Sequence, residues 1–330
     1  MIRSSRRVRA LAALAASLPL IFAACSSTDN SAADGAAAPQ GDCPTTPVDI
    51  VVSVDQWGDI VSQLAGACGN VTTVLASSSV DPHDYEPAPS DAVAFEGAQL
   101  VVVNGGHYDE WAAKLAASSA PDAPVVNAVE LSEHGEAGHD EAGHDRDADH
   151  HHEGLNPHVW YNPTAVNAVS DAVTAELSKL SADGAGYFAE RRAEFATSMK
   201  PYDDAITAIK NGAAGKSYAA TESVFDDMAA ALGLADRTPE GYQVAAANES
   251  EPSPADLDAF LKLLSDRGVD VLIYNTQTEG SVPEQIRGAA EQAGVPVVEV
   301  TETLPPEVKS FQDWQVAQLD ALAKAFDVTT

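Results

Sequence analysis

Short apolar runs alternate along this chain with stretches whose apolar residues recur every three or four positions. Val48 to Val54 is a strand-like run, and Trp57, Ile60, Val61 and Leu64 then fall on one helical face. Val71 to Leu75 reads as a second strand and Pro89 to Ala98 as a helix. Leu100 to Val103 is a strand, Tyr108 to Ala117 a helix with Trp111 and Leu115 on one face, and Pro124 to Val129 a further short strand. Strands alternating with helices predict a parallel sheet covered on both faces. Two long helical stretches follow. Thr164 to Leu180 carries Val166, Val169, Val173 and Leu177, while Ala185 to Lys210 carries Phe188, Phe195, Met199 and Ile206 and is long enough to bridge two lobes.

The rhythm then resumes. Ser217 to Ala220 reads as a strand, Val224 to Leu232 as a helix and Tyr242 to Ala247 as a strand. Ser253, Pro254 and Asp256 start a helix that runs through Leu264. Val269 to Tyr274 and Val295 to Val300 read as strands, Val282 to Ala293 and Phe311 to Phe326 as helices. The pattern predicts an α/β protein with two lobes built on parallel-type sheets: an N-terminal lobe at 43–184, a linker helix at 185–211 and a C-terminal lobe at 212–330. The lobes share a pattern but no repeated sequence.

Two segments stand outside this rhythm. Residues 1–24 read as a signal peptide: Arg3, Arg6, Arg7 and Arg9 precede an apolar run, Leu11 to Phe22, too short to span a bilayer. Ala23-Ala24-Cys25 resembles a bacterial lipobox, with Phe22 where an aliphatic residue is usual, so Cys25 is expected to carry a lipid anchor. Residues 25–42, rich in Ala, Ser, Asp and Gly, read as a flexible spacer. Two cysteines then remain, Cys43 and Cys68, and outside the cytoplasm a lone pair is most simply a disulfide. The second segment is the tract at 133–153, which holds six of the nine histidines: His134, His139, His144, His150, His151 and His152. It repeats EAGHD and has no apolar side chain larger than Ala, so it reads as a mobile loop that collects metal ions.

Charge narrows the ligand. With 18 basic and 50 acidic side chains the chain carries a net −32, which disfavours nucleic acid and anionic membrane surfaces and attracts cations. Two histidines are set for that role. Asp81 to Pro87 places His83 between prolines just past the second strand, where open α/β sheets gather ligands. Asn156-Pro157-His158-Val159-Trp160-Tyr161-Asn162-Pro163 repeats the device around His158. Two stiffened histidines make half of a four-coordinate site.

In combination and order, DPHDYEP (81–87), NGGHYDEW (104–111), the His-rich loop and NPHVWYNP (156–163) resemble the metal-binding solute receptors of bacterial zinc and manganese ABC importers. The resemblance runs from about Cys43 to the C-terminus. It implies two α/β lobes joined by one long helix, with the ion in the cleft between them and His83 and His158 as N-lobe ligands. The third position, often a His in that family, here reads Thr221-Glu222-Ser223, so Glu222 replaces it, as in manganese-type members. The fourth, usually an Asp, is matched by Glu302 in Val300-Thr301-Glu302-Thr303, with Glu279 and Glu249 in reserve. The resemblance also implies a non-catalytic receptor that delivers Zn²⁺, alternatively Mn²⁺, to an ABC permease. It is expected to act as a monomer, held at the membrane through its lipid alone. His107 is expected to be structural or to support a ligand from behind, and Tyr85 and Glu86 to orient His83.

Two other readings compete. A secreted metallohydrolase lacks support because no HExxH is present, and four protein ligands leave no open position for a catalytic water. An extracellular metal buffer would rely on the His-rich loop alone, and loop deletion separates it from a receptor with one tight site.

Overall fold

A computed structural model describes residues 42–76, 85–136, 156–248, 250–278 and 280–330, with 133–136 described by backbone alone. The expectations for residues 1–24, Cys25, His83, His139, His144, His150, His151, His152, Glu249 and Glu279 lie outside the described residues, as does the side chain of His134.

The first sheet contains β1 (Val48–Val54), β2 (Gly69–Leu75), β3 (Leu100–Val103) and β4 (Val125–Asn127), in the order β2-β1-β3-β4. All its pairings are parallel, with Ile50 opposite both Val71 and Leu100. The second sheet contains β5 (Ser217–Ala220), β6 (Ala235–Asp236), β7 (Val271–Asn275) and β8 (Val297–Val300), in the order β6-β5-β7-β8, again all parallel. The two sheets therefore wind alike. Each chain half moves from its first strand to one side, then crosses to the other side of that strand. Such a reversal opens a crevice at the carboxyl ends of the two strands that flank it, β1 and β3 in one sheet and β5 and β7 in the other.

The helices are α1 (Asp55–Ala65), α2 (Pro89–Phe95), α3 (Glu110–Ser119), α4 (Ala128–Glu136), α5 (Pro163–Leu180), α6 (Ala185–Ser198), α7 (Lys200–Gly212), α8 (Asp226–Leu232), α9 (Glu240–Ala247), α10 (Pro254–Ser265), α11 (Ser281–Ala293) and α12 (Phe311–Ala325). Their apolar faces bury the residues the periodicity picks out, among them Trp57, Ile60, Val61 and Leu64 on α1 and Val166, Val169, Val173 and Leu177 on α5. Asn162 caps α5 by accepting from Thr164 N and Ala165 N, and Ser253 caps α10 by accepting from Asp256 N. One continuous core joins the two sheets: Val52 and Trp57 from the first half share it with Ile273, Phe311 and Trp314 from the second. Among the described residues no helix is long and apolar enough to cross a membrane.

Three elements differ from the sequence expectation. The stretch expected as one helix from Ala185 to Lys210 is two, α6 and α7, parted at Met199. Pro201 has no N–H to continue the ladder and its ring crowds the preceding turn, so the helix breaks there. Tyr242 to Ala247 is not a strand but lies in α9, and the strand beside β5 is instead the two-residue β6. A run of six residues, apolar but for Gln243, does not distinguish strand from helix, and three consecutive alanines favour the helix once Tyr242 seats edge-on against Phe260 at 4.8 Å. Finally, the strand expected to reach Val129 stops at Asn127, whose Oδ1 accepts from Glu130 N and opens α4. Residues Glu133–Glu136, expected to begin the loop, are therefore helical.

Cys43 and Cys68 form a disulfide, as expected for an exported chain with one cysteine pair. It ties the start of the body to the end of α1.

Candidate metal-binding site

The octapeptide 156–163 builds one wall. Asn156 Oδ1 accepts from His158 N at 3.1 Å, which identifies it as the carbonyl end of the amide. The same oxygen lies 2.7 Å from His158 Nδ1, so Nδ1 carries a proton toward it and Nε2 is the nitrogen turned toward Glu302. The amide end of Asn156 donates to Ser223 O at 2.8 Å. Trp160 packs beside His158, with ring centroids 5.3 Å apart. Tyr161 OH stands 2.7 Å from both Thr301 O and Gln318 Oε1. One short segment of the first half thus touches the loops that carry Glu222 and Glu302.

The NGGHYDEW segment supports that wall. Gly105, Gly106 and His107 all have positive φ, and a Cβ on Gly105 would fall 2.2 Å from Asn127 Oδ1. Asp109 accepts from Asn104 N at 2.7 Å and Gly105 N at 2.8 Å, closing the turn. Asn104 in turn accepts from Trp57 Nε1 and donates to Pro157 O, which fixes the residue before His158. His107 itself is exposed and pairs with Glu110, so its part is in the turn and not in the site. The functional product of this turn is Tyr108. Its buried hydroxyl donates to Glu302 Oε2 at 3.2 Å, and burial holds its pKa well above the ordinary value, so it remains a donor. Tyr85 donates to Asp91 and packs on Trp111.

The facing wall lies at the carboxyl ends of the second sheet. Glu222 follows β5, Asn275 ends β7 and Glu302 follows β8. Asn275 Nδ2 donates to Glu222 Oε2 at 2.5 Å and to Glu302 Oε1 at 2.9 Å. Gln277 Oε1 accepts from Glu302 N at 2.7 Å and Thr303 N at 3.0 Å. Burial pushes the Glu222 carboxyl above the usual range and the neighbouring Glu302 adds to that, while hydrogen bonds from Thr278 and Asn275 oppose it. His158 Nε2 and Glu302 Oε2 approach to 3.6 Å with side chains only 6% and 3% exposed. Two ligands on one tetrahedral zinc ion stand roughly 3.4 Å apart, given metal–ligand distances near 2.0–2.2 Å. The structure therefore brings His158 and Glu302 together and sets Glu222 beside them through Asn275. Among the described residues no three His, Cys, Asp or Glu side chains form a complete metal cluster.

Sequence reasoning missed four residues of this site: Tyr108, Asn156, Asn275 and Gln277. The signal for Asn275 and Gln277 was present, since both are polar, Asn275 closing a fully buried strand at the switch point of its sheet and Gln277 following two residues later. Asn156 and Tyr108 were inside quoted motifs, but their partners lie in the other half of the chain.

Residues 50–325 match the family described as ZnuA, zinc-uptake complex component A, periplasmic. The chain belongs to the ZnuA family. The high-affinity zinc uptake system protein ZnuA of Bacillus subtilis (strain 168) is 26% identical over 312 residues, covering 93% of this chain and 92% of that protein. The zinc-binding protein AdcA of Streptococcus pyogenes is 27% identical over 268 residues, 76% of this chain but 50% of AdcA, so the ZnuA-family chain spans about half of that relative. Among solved structures, the solute-binding protein FpvC of Pseudomonas aeruginosa in complex with Mn²⁺ superposes with a TM-score of 0.66 at 20% identity, covering 86% of this chain and 99% of FpvC. That likeness concerns the fold, and it agrees with the paired sheets of the ZnuA-family chain.

Proposed function

We propose that this chain is the extracytoplasmic receptor of a zinc importer: it captures Zn²⁺ and presents it to an ABC permease. The observation that carries this reading is the approach of His158 Nε2 to Glu302 Oε2, 3.6 Å apart and almost fully buried. An imidazole and a carboxylate removed from water in this way are a costly arrangement unless a cation or a dense set of hydrogen bonds compensates them. Here Asn156 presets the tautomer that points the lone pair inward, which is how metal-ligating histidines are normally held.

In this reading His83, His158, Glu222 and Glu302 hold the ion as cargo. Membership of a family described as a zinc-uptake component supports Zn²⁺ as that cargo. Mn²⁺ binds more weakly at the same place, because N/O sites favour zinc over manganese intrinsically even when carboxylates narrow the gap. The site serves binding, not catalysis. The histidines from His134 to His152 collect ions for it, Cys25 carries the lipid anchor, and the mature protein works as a monomer. The lobes divide at 43–184 and 212–330, with 185–211 between them. Metal analysis of the purified mature protein, followed by competitive titration with Zn²⁺ and Mn²⁺, tests the reading. One tight zinc site per chain is expected. A protein that binds neither ion tightly overturns the receptor reading, and tighter Mn²⁺ than Zn²⁺ overturns the choice of cargo.

A further inference from the structure

Asn275 is almost fully buried at the end of β7, between two carboxylates that approach it from different loops. Its amide nitrogen reaches Glu222 Oε2 at 2.5 Å and Glu302 Oε1 at 2.9 Å. Charge dictates this orientation, since an amide oxygen facing two carboxylates would be repelled by both. The other end of the amide is occupied in a consistent way: Asn275 Oδ1 accepts from Gln277 N at 3.1 Å. Asn275 N bonds to Thr221 Oγ1 at 3.2 Å, which ties it to the residue before Glu222. Gln277 Oε1, two residues on, accepts from the backbone of Glu302 and Thr303. The end of β7 therefore holds both carboxylate loops by side chain and by backbone.

We propose that Asn275 is a positioning residue: it sets the spacing of Glu222 and Glu302, and with it the preference of the site for Zn²⁺ over Mn²⁺. The inference rests on the reading of Glu222 and Glu302 as ligands. One nitrogen bonded to both carboxylates limits how far their oxygens separate and restrains them where two anions would otherwise splay. Zinc needs such compactness, because it takes four ligands at short, tetrahedral distances. Manganese suits carboxylate and water ligands in a larger octahedral shell, so splayed carboxylates cost it less and water fills the gaps. Asn275 is not itself assigned as a ligand: its oxygen faces the Gln277 backbone, and its nitrogen has no lone pair to give.

The test replaces Asn275 in the full mature protein. Asn275→Leu keeps roughly the volume and removes the donor, and Asn275→Ser keeps a single hydroxyl in case the leucine variant fails to fold. Zn²⁺ and Mn²⁺ affinities are read by competitive titration, with thermal unfolding of the metal-free proteins as the folding control. The expected result is a loss of about 10- to 100-fold for Zn²⁺, the range seen when groups that orient ligands are removed, and a smaller loss for Mn²⁺. The Zn²⁺/Mn²⁺ affinity ratio then falls at least about threefold. A folded variant with an unchanged ratio, or with equal losses for both ions, overturns the proposal. Glu222→Ala and Glu302→Ala run beside it. If those two leave zinc affinity intact, the ligand assignment fails; if they abolish it while the Asn275 variants keep the wild-type ratio, only this inference fails.

Discussion

Asn156, two residues before His158, donates its side-chain amide to the carbonyl of Ser223, the residue after Glu222, at 2.8 Å. Two candidate ligands from opposite halves of the chain are thus joined by one hydrogen-bonded side chain, whose other end fixes the tautomer of His158. Among the described residues, protein contacts alone orient His158, Glu222 and Glu302.

That relationship makes Asn156→Ala informative. It frees the His158 ring and loosens the Glu222 loop without removing a ligand. Zinc affinity is expected to fall by about 10- to 100-fold, with the fold retained by circular dichroism. An affinity within about threefold of wild type would show that His158 is oriented by something else.

Removing a candidate ligand should cost more than removing a group that orients one. His158→Ala and Glu302→Ala are each expected to weaken Zn²⁺ by more than about 100-fold in competitive titration. Glu222→Ala should do the same and also lower the charge that offsets the cation. If Glu302→Ala retains wild-type affinity, the fourth ligand lies elsewhere, and Glu279 is the next position to replace.

Deleting 137–153 is expected to remove weak additional binding events and to leave the tightest one in place. Ordering a polar segment around an ion costs roughly 1–2 kcal/mol of backbone entropy per residue, which suits a collector better than a high-affinity site. Isothermal calorimetry reads both classes of site at once. Loss of the tight event alone would reverse the two roles.

Asp55 begins α1 at the carboxyl end of β1, and burial pushes its pKa from 3.8 to about 7 in spite of the Leu304 and Gln56 backbone amides that favour its ionised form. A carboxyl whose pKa is raised on folding stabilises the protein fully below its unfolded pKa, and that contribution is lost as pH rises through the folded value. The metal-free protein should therefore lose on the order of 3 kcal/mol from this group between about pH 4 and pH 8. Asp55→Asn has no such proton to lose. Its stability advantage over wild type in urea melts should grow across that window, and a constant difference would contradict the assignment.

The Cys43–Cys68 disulfide closes a segment of sequence separation 25. Chain entropy alone makes such a closure worth about 3 kcal/mol. Replacing both cysteines by serine should lower the denaturation midpoint correspondingly while leaving zinc affinity close to wild type, since the bridge lies at the far end of α1 from Asp55. A large loss of affinity would tie the bridge to the site.

The sequence by itself determined the alternation of strands and helices, because a buried parallel strand must be apolar throughout and a covering helix must repeat its apolar face every three to four residues. It also marked His158 and the two turns that stiffen around it, since proline and glycine act locally. It did not determine that Tyr242 to Ala247 is helical, where a short apolar run fits either element and packing against Phe260 decides. Nor did the apolar spacing in Ala185 to Lys210 show the break at Met199, which depends on one missing N–H at Pro201. The site follows the same division. His83 and His158 stood out as candidates because prolines stiffen the turns that carry them, and Glu222 and Glu302 came from the resemblance to metal-binding solute receptors, but the supports of these residues were not legible. Tyr108 meets Glu302 and Asn156 meets Ser223 only after the two halves of the chain pack together, and Asn275 meets both carboxylates only at the carboxyl ends of the second sheet. A hydrogen bond between residues far apart in the chain leaves no periodicity behind, so only the tertiary structure decided which polar side chains hold the site.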